Sequence, residues 1–296
     1  LEHHLHDDAF IKARDKAEKK AEKEKVKSRG KEVKKAAKEG ELDSKREPHL
    51  FVLDFNGSID AKEVASLREE VTAVLAVARE GDEVLLRLET GGGMVHAYGL
   101  ASSQLDRLKA AGITLTIAVD KVAASGGYMM ACVADKIVSA PFAIVGSIGV
   151  IAQLPNFSKV LKKNDIEFEQ ITAGEFKRTL TMFGENSDKA REKFKEEIEE
   201  THGLFKQFIA VHRPELDLNK VATGEHWFGQ QALELGLVDQ ISTSDDLITE
   251  ACKAREVLQV KYVRRKKLIE KLSGASSEAA DTLLMKWVAR GQRPFM

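Results

Sequence analysis

The sequence predicts an α/β fold with a mainly parallel sheet that is buried between flanking helices. From residue 50 to residue 263, short apolar runs alternate with amphipathic helical patterns at the spacing of βα units. The first of these runs, "LFVLDFNG", is almost uninterrupted, which is typical of a strand buried on both faces. Hydrophobic residues make up 43% and charged residues 31% of the 296 residues, as in an ordinary globular protein with a substantial core.

The predicted elements follow one another along the chain. Apolar, β-branched runs predict strands at 50–57, 82–93, 113–125, 135–140, 143–153, 166–172 and 258–263. Helical periodicity predicts helices at 60–81, 96–112, 126–134, 156–164, 187–212 and 245–256. Gly81 and Gly112 end the first two helices, as glycine commonly does at a helix C-terminus.

Charged segments flank this central region, and we expect three parts: 1–49, 50–263 and 264–296. Residues 1–49 carry 15 Lys or Arg against 12 Asp or Glu, a local net charge of +3, with strong helix formers but no apolar face. We interpret them as a solvated helical tether, and the alternative is a basic segment that contacts anionic lipid. Residues 264–296 are expected to form a basic helical tail.

The sequence gives no support for a nucleic-acid-binding protein, a disulfide-rich protein or a metalloprotein with a cysteine site. The net charge of −1 gives no electrostatic reason to expect a nucleic-acid partner. Cys132 and Cys252 form neither a disulfide framework nor a metal-ligand pattern. Residues 137–158 carry no charge and are long enough to cross a bilayer, but proline and glycine interrupt them, so we interpret them as buried core. Because the chain opens without Met, we expect it to be a fragment.

Ser125 is the first candidate catalytic residue. It follows a predicted strand and precedes a helix that begins with Gly126 and Gly127. At such a helix N-terminus, free backbone N–H groups and the dipole favour a developing anion. The simpler alternative is a helix start made of small residues that pack on the sheet.

A run of glycines, 91–93, ends a second predicted strand at the same edge of the sheet. Its backbone could supply another N–H group for an oxyanion, and the alternative is a flexible turn. The run matches neither the dinucleotide-binding nor the P-loop pattern.

The base that would activate Ser125 is not identified by spacing. No histidine lies between residues 125 and 202. A Ser-His-Asp triad would need His96, His202, His212 or His226, of which His96 lies beside the glycine run. The alternative is a lysine kept neutral by burial, and lysine is abundant.

The stretch "VAASGGYMMACVADKIVSAPFAIVGSIGV" at 122–150 closely resembles the signal peptide peptidase family of Ser–Lys serine proteases, in particular an inner-membrane branch. The resemblance extends over 51–263 and includes "TAGEFKRTL" at 172–180 and "WFGQQALELGLVD" at 227–239. It implies that Ser125 is the nucleophile, that Lys177 is the general base and that Ser147 steadies this lysine through a hydrogen bond.

The family's oxyanion loop usually contains Ser-Pro-Gly-Gly, whereas this chain has Thr90 followed by three glycines. The resemblance implies that the backbones of Gly92, Gly93 and Gly126 form the oxyanion hole, with a looser loop because the proline is missing.

The resemblance further implies a ClpP/crotonase-like fold and a homo-oligomeric ring that hydrolyses cleaved signal peptides or other short apolar peptides. The ring would be associated with the bacterial inner membrane through an anchor upstream of this sequence and would face the periplasm or the outside. No metal or other cofactor is expected. Ile148, Val150 and Ile151 are candidates for substrate contact, although buried core is the simpler interpretation of these side chains.

Two other functions compete with a peptidase. A crotonase-type acyl-CoA enzyme also uses backbone oxyanion holes at glycine-rich turns, but it needs neither Ser125 nor Lys177. A non-catalytic scaffold at the membrane would act through the charged tether, but it gives no reason to retain Ser125, Gly126, Ser147 and Lys177 together.

Overall fold

A mainly parallel six-stranded sheet organises the central region, in a computed structural model that describes residues 46–263 and residues 16, 17, 19, 20, 23, 24 and 27. The strands are β1 His49–Asn56, β2 Glu83–Glu89, β3 Thr114–Val119, β4 Val122–Ala124, β5 Lys136–Ser139, β6 Ile144–Gly146, β7 His226–Phe228, β8 Gln240–Ile241 and β9 Glu256–Gln259. The helices are α1 Val64–Val77, α2 Val95–Ala110, α3 Gly126–Ala131, α4 Ser158–Lys163, α5 Asp188–His212, α6 Leu218–Val221, α7 Gly229–Glu234 and α8 Ser244–Ala254.

The large sheet has the strand order β8-β5-β3-β2-β1-β9, and β1–β2, β2–β3, β3–β5 and β5–β8 pair in parallel. Side chains alternate between its two faces. Leu50 and Val52 of β1 pack with α8, whereas Phe51, Leu53 and Phe55 point into the main core with α1 and α2. The sheet is therefore buried on both faces, and the predicted α/β class is confirmed.

A second sheet of three strands, in the order β4-β6-β7, contains the stretch that leads to Ser125. The predicted strand 113–125 is in fact two strands, because the chain turns at Asp120 and passes from the large sheet to the small one. The Asp120 carboxylate accepts hydrogen bonds from the backbone N–H of Ser244 at 2.8 Å and from its hydroxyl at 2.5 Å. A bridge between Thr90 and Ala123 joins the end of β2 to β4.

Two other strand predictions were wrong. The predicted strand 143–153 ends at Gly146, because the next residue, Ser147, has a φ of 52°, which an extended strand does not accommodate. The predicted strand 166–172 has no strand structure. Its apolar side chains find no sheet to pack on, and Ile166 and Ile171 are 53% and 94% exposed.

The chain divides into two units, Leu1–His49 and Leu50–Met296. The predicted tether 1–49 lies mostly outside the described residues, although the seven described positions between 16 and 27 are helical and exposed. The predicted tail 264–296 lies wholly outside them. Among the helices that the structure describes, none combines the length and the apolar character that crossing a membrane requires.

Candidate active site

Ser125 occupies the junction between β4 and α3 in a conformation that is rare for a residue with a side chain. Its φ is 53° and its ψ is −117°. Two contacts keep it there: its N–H donates to the Gly146 carbonyl at 2.8 Å, and its own carbonyl accepts the Met129 N–H at 3.0 Å. Backbone strain of this kind, about 1–3 kcal/mol, persists where the surroundings enforce it, often at functional sites. The sharp turn leaves the Ser125 side chain half-buried at the start of a helix.

Ser147 leaves the neighbouring strand at the same end. β4 and β6 are parallel, and Ala124 pairs with Gly146, so Ser125 and Ser147 are the next residues on adjacent strands. Ser147 also has a positive φ, 52°, and its N–H donates to the Glu225 carbonyl at 2.7 Å. The register thus brings together the predicted nucleophile and the predicted lysine-orienting serine, although no hydrogen bond between their hydroxyls is present within the described residues.

The glycine loop after β2 lies against the turn at Ser125. A Cβ atom on Gly92 would lie 2.6 Å from the Gly126 nitrogen and 2.8 Å from the Ser125 Cβ, and Gly92 has a φ of 85°. This close approach requires glycine. The predicted convergence of the loop and the helix start at one edge is therefore present in the structure.

The three predicted oxyanion donors are not equivalent. The Gly92 N–H is engaged, because it donates to the Thr90 Oγ1 at 3.1 Å. The N–H groups of Gly93 and Gly126 have no acceptor in the part of the chain that the structure describes. Both groups are thus free of a protein acceptor, and their role as oxyanion donors stays a prediction.

Helix α3 is anchored at its far side by Tyr128. This side chain is fully buried, and its hydroxyl donates to the Leu237 carbonyl at 2.9 Å. Leu237 is close in the chain to an ion pair, in which Arg213 contacts Asp239 at 2.7 Å and also donates to the Gly236 carbonyl. Burial raises the pKa of Tyr128, so its hydroxyl stays protonated and acts as a donor.

Lys177 is exposed and lies in an irregular segment between α4 and α5. Its backbone N–H donates to the Gly174 carbonyl at 3.2 Å, and no hydrogen bond of its ammonium group to another described residue is present. The strand predicted at 166–172, just before Lys177, is absent. The single chain therefore does not bury Lys177, and its role as the base stays a prediction.

The three candidate substrate residues differ in burial. Ile148 is fully buried and packs in the main core, so its side chain is structural and is not available to a substrate. Val150 is half-buried and Ile151 is 77% exposed, just after the Ser147 turn. The last two remain candidates for substrate contact.

The histidines that a triad would need are dispersed. His96 is exposed in the first turn of α2, and no described carboxylate bonds to it. His202 contacts the Ile148 carbonyl at 3.1 Å, His212 lies 3.7 Å from Asp106, and His226 is paired with Gly146 in the small sheet. Within the described residues, no group of three or more His, Cys, Asp or Glu side chains could hold a metal ion.

Comparison with known proteins bears on this site. The model of "Peptidase family S49" matches residues 107–258, and that of "Peptidase family S49 N-terminal" matches residues 1–105. The chain is 58% identical over 285 residues to the "Probable protease SohB" of Haemophilus influenzae, which covers 96% of this chain and 80% of the relative. It is 57% identical to the protein of the same name from Buchnera aphidicola subsp. Acyrthosiphon pisum, over 80% of this chain and 70% of the relative.

A solved structure described as a membrane-bound stomatin-specific protease covers 73% of this chain and 99% of its own, at a TM-score of 0.47 and 13% identity. That likeness is too low to inform the chemistry of this chain. The family match, by contrast, extends over more than half of the chain and includes Ser125, Ser147 and Lys177. The chain therefore belongs to peptidase family S49, and it is a serine peptidase.

Proposed function

We propose that the chain is an endopeptidase that hydrolyses short apolar peptides, such as cleaved signal peptides, through an acyl-enzyme on Ser125 with Lys177 as the general base. One observation carries the proposal: a strained Ser125 directly precedes the unbonded N–H of Gly126, and the glycine loop that holds the unbonded N–H of Gly93 lies against this turn at Gly92. This arrangement offers a nucleophile and two oxyanion donors to one carbonyl.

The reaction that follows is acyl transfer. Neutral Lys177 takes the proton of the Ser125 hydroxyl as the oxygen attacks the peptide carbonyl. The N–H groups of Gly93 and Gly126 stabilise the resulting oxyanion, at about 3 kcal/mol for a donor. The Lys177 ammonium then protonates the leaving amine, and an acyl-enzyme remains. Water, activated by the same lysine, hydrolyses the ester and regenerates Ser125. Ser147 orients the lysine by accepting a hydrogen bond from it.

The proposal requires that Lys177 become enclosed, because a solvated lysine is protonated at neutral pH. We propose that a homo-oligomeric ring provides this enclosure. Exposed apolar side chains in the irregular segment that carries Lys177 support it, since Ile171 is 94% exposed, and Phe176 and Phe183 are each 43% exposed. A second copy that covers these side chains would bury apolar surface and remove water from the lysine.

We further propose that the ring acts at the bacterial inner membrane, with the catalytic domain on its outer side. The resemblance of residues 51–263 to an inner-membrane branch of the family supports this location. The partners are peptide substrates and other copies of the chain, and the net charge of −1 gives no reason to expect nucleic acid.

The test is cleavage of a set of short apolar peptides by the full chain, between about pH 6 and pH 10. Wild type is compared with Ser125→Ala, with Lys177→Ala and with the matched control Lys159→Ala, which removes another exposed lysine. We expect the first two variants to be inactive while folded, the control to be active, and the wild-type rate to rise with pH.

Other outcomes would redirect the assignment. If Lys177→Ala keeps the wild-type rate and His96→Ala does not, a histidine is the base and the dyad is wrong. If Ser125→Ala still cleaves peptides, the nucleophile is wrong. A crotonase-type enzyme would not react with a fluorophosphonate at Ser125, so labelling of this residue separates the two chemistries. A scaffold would keep its cellular function in Ser125→Ala and lose it on deletion of residues 1–48.

A further inference from the structure

Two buried hydroxyl groups lie at the base of the glycine loop. Thr90 is 2% exposed and Tyr98 is fully buried. Their oxygens are 2.5 Å apart. The pair is also bonded to the segment after β1, because the Tyr98 hydroxyl donates to the Ser58 carbonyl at 2.8 Å and Thr90 Oγ1 contacts the Gly57 carbonyl at 3.1 Å. The hydroxyl pair thus joins three separate pieces of backbone.

The threonine of this pair holds the loop in its observed conformation. Thr90 Oγ1 accepts the N–H of Gly92, which has a φ of 85°. Three consecutive glycines have little intrinsic stiffness, because each one can occupy many backbone conformations. The hydrogen bond therefore supplies a restriction that the sequence of the loop does not provide.

The tyrosine of the pair contacts the other half of the oxyanion site. A Cβ atom on Gly126 would lie 2.5 Å from Cγ of the Tyr98 ring, so the ring lies directly against the first residue of α3. Tyr98 thus contacts the start of α3, which bears the free N–H of Gly126. Through Thr90 it also contacts the glycine loop, which bears the free N–H of Gly93.

We propose that Thr90 and Tyr98 are positioning residues that set the separation of the Gly93 and Gly126 N–H groups. The inference rests on the proposed acyl-enzyme chemistry. Neither hydroxyl touches the substrate, and both act through the backbone that they hold. Burial raises the pKa of Tyr98 above its ordinary value, which keeps its hydroxyl protonated as a donor.

Close packing leaves no slack around the pair. A Cβ atom on Gly57 would lie 2.6 Å from the Tyr98 hydroxyl and 2.8 Å from Thr90 Oγ1. A variant that keeps the shape of either side chain but lacks its hydroxyl therefore keeps this packing and loses the hydrogen bonds that hold the loop. A displacement of about 1 Å at a catalytic group can cost about 100-fold in rate.

The test uses Thr90→Val, Thr90→Ser and Tyr98→Phe in the full chain. The matched control is Ser102→Ala, which removes another fully buried hydroxyl of α2, one that donates to the Tyr98 carbonyl at 3.0 Å and does not contact the loop. Two assays are run on each protein. The first gives kcat and KM for a peptide substrate, and the second gives the rate of Ser125 labelling by a fluorophosphonate, whose phosphoryl oxygen enters the oxyanion site.

We expect Thr90→Val to lower kcat by about 10-fold to 100-fold with little change in KM, and to slow labelling in parallel. Thr90→Ser, which keeps the hydroxyl, should have kcat and a labelling rate close to those of wild type. Tyr98→Phe should have intermediate values, and Ser102→Ala should match wild type in both. The proposal is overturned if Thr90→Val keeps both rates, if only KM rises, or if Ser102→Ala lowers the rates equally.

The labelling rate separates this proposal from the proposed function. Labelling needs Ser125 and the oxyanion donors but no peptide substrate, so it tests the hydroxyl pair even if the chosen peptides are not cleaved. If Lys177 is not the base, the labelling rates of the Thr90 and Tyr98 variants should still differ from that of wild type. An error in the Lys177 assignment can therefore be told apart from an error in this proposal. Melting temperatures identify any variant that loses activity through unfolding.

Discussion

The glycine loop permits a direct test of the site geometry by adding one methyl group at each of three consecutive positions. A Cβ atom on Gly91 would meet no atom within 4 Å. On Gly92 it would lie 2.6 Å from the Gly126 nitrogen and 2.7 Å from the Ala124 carbonyl oxygen. On Gly93 it would lie 2.0 Å from the Ile59 carbonyl oxygen. The alanine substitutions should therefore differ sharply although they are chemically identical.

The magnitude follows from these contacts. At Gly92 the left-handed backbone with a side chain costs about 1–2 kcal/mol, before any displacement of the loop. For a domain of this size each kcal/mol lowers the melting temperature by about 2–4 °C, so a decrease of roughly 2–8 °C is expected. The neighbours at 2.6 and 2.7 Å are backbone atoms, so the loop itself must move away from Gly126. Loss of one oxyanion donor costs about 100-fold to 1,000-fold in kcat.

The assay compares Gly91→Ala, Gly92→Ala and Gly93→Ala by thermal melting, peptide cleavage and fluorophosphonate labelling of Ser125. We expect Gly91→Ala to behave like wild type and the other two to lose activity by more than their loss of folded protein explains. Equal effects at Gly91 and Gly92 would refute the reasoning, because the structure gives only Gly92 a close contact with the turn at Ser125.

Three further outcomes are expected. Burial would raise the pKa of Asp239, but hydrogen bonds from Arg213 and a backbone N–H hold it below its ordinary value. The stabilisation by Asp239 is thus present above the unfolded pKa of about 3.9 and is lost as pH falls through the folded pKa. In Asp239→Asn, the free energy of unfolding measured by denaturant titration should therefore fall less steeply at acid pH than in wild type. An unchanged acid dependence of this free energy would contradict the prediction. Tyr128→Phe leaves the buried Leu237 carbonyl unpaired and should lower the urea-unfolding free energy by about 1–3 kcal/mol, which an unchanged value would disprove. Ile171→Ser should shift the assembly toward smaller species in sedimentation velocity, and an unaltered distribution would argue against a ring contact there.

Most of the sheet could be predicted because its strands are locally distinctive. The runs at β1, β2 and β5 are apolar on both faces, and the helices between them show clear periodicity. The prediction failed at 166–172, where alternating apolar residues resemble a strand but stay exposed. A sequence pattern shows which residues are apolar, but it does not show whether a partner strand is available to cover them.

The site was predictable in part for the same reason. Ser125 and Gly126 lie at a strand–helix junction that is visible in the sequence, and the resemblance assigned their roles. The engagement of the Gly92 N–H by Thr90 and the position of Tyr98 against Gly126 had no local signal. The Tyr98–Gly126 contact joins segments that are distant in the chain. The Thr90–Gly92 hydrogen bond is local, but it depends on a loop conformation that the packing of α2 against this loop supports.

By itself, the sequence determined the α/β class, the serine at the sharp turn and the family to which the chain belongs, because these depend on local composition and on contiguous motifs. Tertiary structure alone decided which N–H groups stay free, which hydroxyls hold the glycine loop, and that Lys177 is exposed in a single chain. The physical reason is that burial periodicity is a property of neighbouring residues, whereas hydrogen-bond partners and close approaches depend on strand register and helix packing between distant ones.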